Sequence, residues 1–174
     1  MPMPAQADSQ PDLFVPVGVL PDWTQTMRRA TQAHHNGQWV MAQTQYQMAL
    51  GMARGLVVQG GEGALRAGLI SDSEADACVC ACVSSHLCLA SLLAEEGCTE
   101  QAAATLAQAH LTLLALIRQH PLTDGWHRAA VWHGRDTHAA LLAHRAEHGD
   151  HPDIDRALRA GCLTLTTAAC QRTG

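Results

Sequence analysis

The sequence predicts an all-α protein of three antiparallel helical hairpins, about six helices in all. Three observations carry this expectation. Apolar content is 47% but aromatic content only 3%. Ala and Leu therefore supply most of the hydrophobic surface, and these residues lose least entropy in a helix. Gly- and Pro-centred breaks punctuate the chain at intervals suited to long helices. A pattern of small residues around two of those breaks also recurs at a fixed offset of 60 residues.

Residues 1–20 hold four of the seven prolines and show no helical period. They read as an extended or disordered arm, whose Phe14, Val15, Val17 and Leu20 can lie against the body. Residues 21–174 read as a single helical domain, long enough to bury a core. Asp22 after Pro21 is expected to cap the first helix, with Gln25 reaching back, and that helix runs to about His35. Asn36-Gly37 ends it, because both residues accept a left-handed backbone. The second helix extends from Gln38 to about Val58 and is broken by Gly60-Gly61-Glu62-Gly63. A loop then leads to Ser71-Asp72-Ser73-Glu74, a capping box that opens the third helix.

The third helix continues to Glu96 and stops at Gly97. Thr99 is expected to cap the fourth, which closes at His120-Pro121. Thr123-Asp124 opens the fifth, which ends at Gly149-Asp150. Pro152 occupies the first turn of the sixth, where its missing N–H does no harm, and that helix runs to about Gln171.

The repeat is specific at two places. Ala30, Gly37, Trp39, Ala42, Tyr46 and Ala49 align with Ala90, Gly97, Thr99, Ala102, Leu106 and Ala109. Alanine before the turn allows close helix approach, glycine makes the turn, and the later residues share one face of the following helix. A third, weaker copy surrounds Gly149, with Leu142 before it and Ile154, Leu158 and Gly161 after it. This pattern resembles the tetratricopeptide-repeat (TPR) motif, and the chain has the general look of small bacterial proteins of a tetratricopeptide-like type. The family's period is about 34 residues, whereas these copies are 60 and then 52 residues apart. A right-handed TPR-like array and a compact bundle both fit that spacing.

The resemblance implies a non-catalytic scaffold or adaptor for an unknown protein or peptide. By alignment to the turn glycines, its binding face would include Thr24, Met27, Thr31 and His34 in the first hairpin. The second hairpin would contribute Ser84, Leu87 and Ser91. No cofactor is implied, and self-association is compatible with the reading.

Composition argues against several other classes. Net charge is −5, all eleven basic residues are Arg, and only Arg28-Arg29 are adjacent, so no basic stripe points to nucleic acid. Seven cysteines, an odd number, and an N-terminus without a charged-then-apolar leader pattern suggest a reducing, cytoplasmic compartment. Ala77–Ala94 lacks formal charge but contains Ser84, Ser85, His86 and Ser91. It reads as a buried central helix rather than a membrane span. No nucleophile elbow or P-loop occurs, and the glycine-rich run at 60–63 has no lysine to serve a phosphate.

One alternative has chemical content. Cys78, Cys82 and His86, four residues apart, would lie along one face of the third helix, and thiolate plus imidazole suits Zn or Cu(I). Against it, three such ligands spread over about 12 Å of helix, and no Cys-x2-Cys knuckle is present. His144 and His148, with His151 nearby, are best explained as helix-end residues that favour a C-terminal dipole.

Overall fold

The computed structural model describes residues 20–67 and 71–170, with side chains placed over 20–58 and 71–164. Six helices follow in order: α1 (Pro21–His35), α2 (Trp39–Ala67), α3 (Asp72–Glu95), α4 (Thr99–Gln119), α5 (Gly125–His148) and α6 (Pro152–Cys170). The described residues contain no strand. Consecutive helices form antiparallel pairs, as the sequence predicts.

The expected starts of α1 and α4 differ in detail. Helix α1 begins at Pro21 with Leu20 at the cap and no side-chain cap bond, so Asp22 sits inside the first turn. There it faces the positive end of the helix dipole. Thr99 is likewise the first residue of α4, after Cys98. By contrast, Ser71 and Glu74 form the reciprocal capping box of α3, and Asp124 accepts from the Trp126 N–H at the start of α5.

The predicted loop after Val58 is a correction. Helix α2 runs through the glycine cluster to Ala67. Each glycine costs about 1 kcal/mol relative to Ala, but none removes a hydrogen bond. Ala64, Leu65, Arg66 and Ala67 beyond them are good helix formers. The N-terminal arm lies outside the described residues, apart from Leu20, which is buried.

The repeat has a clear structural meaning. Gly37 and Gly97 adopt φ of 68° and 79°, and their turns close in the same way. Gly37 N–H donates to His34 O and Gln38 N–H to Ala33 O; Gly97 N–H donates to Ala94 O and Cys98 N–H to Leu93 O. These are matching Schellman motifs. All eight alanine, tyrosine and leucine positions of the two copies are buried.

Gly149 differs. It is itself the cap of α5, at φ 89° and ψ −172°, a region open essentially only to glycine. Open space surrounds a Cβ at either Gly37 or Gly149, so alanine there costs backbone strain alone. We expect about 1 kcal/mol for Gly37→Ala and up to ~3 kcal/mol for Gly149→Ala, read from urea midpoints. Equal costs at both sites would contradict the distinct cap geometry.

Helix α3 is the centre of the fold. It packs on α2, α4 and α5, and 13 of its 24 residues are buried. It is long and apolar enough to span a membrane by composition, yet 67% of its most apolar window is buried against the other helices. Helix α6 docks chiefly on α4 and only slightly on α5, so the third hairpin is more splayed than the first two. Where α5 starts, a Cβ on Gly125 would lie 2.9 Å from the Asp72 Cα, which brings the first turns of α3 and α5 into backbone contact.

Candidate functional site

The odd-numbered helices are tied together by polar contacts across their shared layer. Between α1 and α3, Trp23 Nε1 donates to Ser85 Oγ at 2.8 Å, and His34 Nε2 lies 2.9 Å from Glu95 Oε2. Between α3 and α5, Arg128 pairs with Asp72, and His133 Nε2 lies 3.1 Å from Asp76 Oδ1. These links join residues 56 to 62 apart in sequence.

The predicted binding residues separate into distinct environments. His34 and Ser91 meet at Glu95: Ser91 Oγ donates to Glu95 Oε1 at 3.2 Å, opposite the His34 contact. The His34 ring also meets the Trp39 and Tyr46 rings edge-on. Thr31 shares a hydrogen bond with the Tyr46 hydroxyl at 3.4 Å. Thr24 turns back to the Leu20 carbonyl, and Ser84 sits 3.9 Å from the Cys80 sulfur.

Met27 is not on a surface. It is 3% exposed, and its sulfur lies 3.9 Å from the Ser85 hydroxyl oxygen, so it belongs to the core. Leu87 is partly buried against the core. A helical face one residue wide distinguishes Met27 from Thr31 only by where α3 lies, which local spacing does not reveal. Sequence reasoning also missed Glu95, Asp72, Asp76, His133 and Arg128, whose links between helices are long-range.

Trp132, on α5, is 61% exposed and carries the Arg135 guanidinium 5.1 Å from its ring centre. An open groove of about 240 Å³ lies where α1 begins against α2, lined by Leu20, Pro21, Asp22, Trp23, Met52 and Leu56.

The soft-metal alternative is not favoured by the geometry. Cys78, Cys82 and His86 are all buried. His86 Nδ1 is 2.7 Å from the Cys82 carbonyl oxygen. A carbonyl can only accept, so Nδ1 carries the proton and is engaged with backbone. Burial raises the Cys78 thiol and pushes Cys82 up to about 11, which keeps both protonated at neutral pH. A metal would have to displace both of these firmly held protons on binding. Among the described residues, no group of three or more His, Cys, Asp or Glu side chains is placed to hold a metal ion.

The α4–α5 seam is rich in buried histidine. His110 Nδ1 lies 2.8 Å from Thr137 Oγ1, whose own proton goes to the Gly134 carbonyl. His110 therefore donates from Nδ1 and leaves Nε2 bare, facing Gly161 of α6, where a Cβ would approach to 2.7 Å. His127 Nδ1 donates to the Ile117 and His120 carbonyls, both at 3.1 Å. His86 Nε2 and His110 Nε2 are buried without a hydrogen-bond partner. Burial lowers each of these two imidazoles to about 4; for His110, the neighbouring His138 adds to the effect.

These features define an all-helical protein of successive antiparallel hairpins, with polar links along one helix layer and neutral histidines in its core. The chain belongs to the DUF2753 family, described as a protein of unknown function, which matches residues 21–173. No curated protein and no solved structure matches it.

Proposed function

We propose that the chain is a non-catalytic, tetratricopeptide-like scaffold of the cytoplasm that binds a protein or peptide across the α1–α3–α5 layer. One observation carries the reading. The two Gly-centred hairpin turns are closed identically, and α1, α3 and α5 stand side by side, bridged by long-range polar pairs. Side-by-side first helices of successive hairpins present a continuous surface to an extended ligand.

That surface carries His34, Ser84, Ser91 and Glu95, with Trp132 exposed on α5. Aromatic residues are preferred anchors at interfaces. Neither Met27 nor Leu87 is useful as a probe, because both are packed. The test is a pull-down with Ser91→Arg and Trp132→Glu, each checked for unchanged helicity and thermal midpoint. Loss of the same partner from both variants is expected. A partner set identical to that of the wild-type chain would sink the reading.

A further inference from the structure

Helix α2 has an outer face that the core does not use. Among the described residues, six of the eleven exposed large hydrophobic side chains are on this one helix: Trp39, Val40, Met41, Met48, Met52 and Val58. Val40 is 78% and Val58 58% exposed. At 100° per residue, Val40, Thr44, Gly51, Gly55 and Val58 fall within an arc of about 60°. Met48 lies at the edge of that arc. The buried Ala42, Tyr46, Ala49 and Ala53 lie on the opposite side of the helix.

This face is uncharged over most of its length: Trp39 to Ala53 contains no ionisable group except the buried Tyr46. A Cβ placed on Gly51 or Gly55 would meet nothing within 4 Å, so these glycines answer no packing need inside the chain. In a helix they cost about 1 kcal/mol each relative to Ala. What they offer is close approach by another backbone.

We infer that the outer face of α2 is a homodimer interface, occupied by α2 of a second copy of this chain in a nearly antiparallel crossing. The face is self-complementary about position 49. A twofold axis there sets Val40 against Val58 of the second copy and Gln47 over Gly51 of the second copy, a long side chain into an open space. Arg54 falls opposite Thr44 of the second copy. Its own symmetry mate is about 15 Å away along the axis, so these two cations do not collide.

Each residue thus meets a different residue reciprocally, as an isologous contact requires. Val40, Met48 and Val58, with Met41 and Met52 flanking the arc, expose on the order of 500 Å², near the top of the patch size that soluble monomers carry. With the intervening polar and glycine surface, this approaches the ~800 Å² per partner of a stable interface. The inference is independent of the α1–α3–α5 reading, because α2 lies outside that layer.

Sedimentation of the full chain over a concentration series tests it, with Gly51→Glu and Val40→Glu as face variants and Trp132→Glu as a control elsewhere. The wild-type chain should dimerise. Either face variant should raise the dissociation constant by ~100-fold or more. The thermal midpoint measured on dilute monomer should not fall, since both sites open to solvent and Gly51→Glu replaces a poor helix former. Trp132→Glu should leave the dimer intact. A wild-type chain that stays monomeric at about 100 μM, or a dimer that survives both face variants, overturns the inference. So does a dimer lost with Trp132→Glu instead.

Discussion

Unfolding free energy is expected to fall by several kcal/mol as pH drops from about 6.5 to 4, and then to level off as far as the buried histidines are concerned. His86 and His110 are 1% and 4% exposed, and each is held at about 4 against an ordinary value of 6.5. In the folded chain they stay neutral through this window. In the unfolded chain they take up protons as pH falls below 6.5. The unfolded state therefore binds more protons, and stability decreases with falling pH.

Each histidine contributes at most about 3 kcal/mol by this route, since a tenfold loss of proton affinity on folding is worth about 1.36 kcal/mol. That contribution is fully present above 6.5. His144 is lowered as well, first by burial and then by His148 and His151, and it acts in the same direction. Urea unfolding at a series of pH values measures the slope. A combined His86→Leu and His110→Leu variant should flatten it, because both rings have a bare nitrogen without a partner. An unchanged slope in that variant would show that other groups carry the acid sensitivity.

Trp23→Ala should cost about 3–5 kcal/mol, a large part of the stability of a domain this size. The side chain is 2% exposed and anchors α1 to the central helix. Its Nε1–H donates to Ser85 Oγ at 2.8 Å, while Ser85 passes its own proton to the Ala81 carbonyl at 2.7 Å. Truncation removes both the packed ring and a short, fully buried hydrogen bond between α1 and the middle of α3.

Trp23→Phe separates these effects. It keeps most of the apolar volume and leaves Ser85 bonded to Ala81, so it should cost only about 1–2 kcal/mol. The midpoint shift of each variant in urea gives the comparison. A cost below about 1 kcal/mol for Trp23→Ala would mean that α1 is not docked through this residue.

Local signals in the chain are strong where backbone chemistry is decided within a few residues. The Ser71–Glu74 box, the Asp124 cap, Pro152 in a first turn and the left-handed glycines at 37, 97 and 149 are all legible, because their partners lie one turn away. The same locality explains the failures. Asp22 and Thr99 look like caps by type, yet Leu20 and Cys98 take the cap positions. The glycine run at 60–63 looks like a break, yet no residue in it forbids helix.

Residue order alone was enough for the all-helical class, the succession of the helices and the faces around the repeated turns. Ala42, Tyr46 and Ala49, and likewise Ala102, Leu106 and Ala109, fall on buried faces by spacing. It took the packed fold to establish that Met27 is core, that α6 docks on α4, and that Glu95, Asp76 and Asp72 reach partners some 60 residues away. The cause is physical: helical periodicity tells which residues share a face. Which face meets which depends on how the helices cross, and that is set by close approaches such as Gly125 on Asp72 and Gly161 on His110.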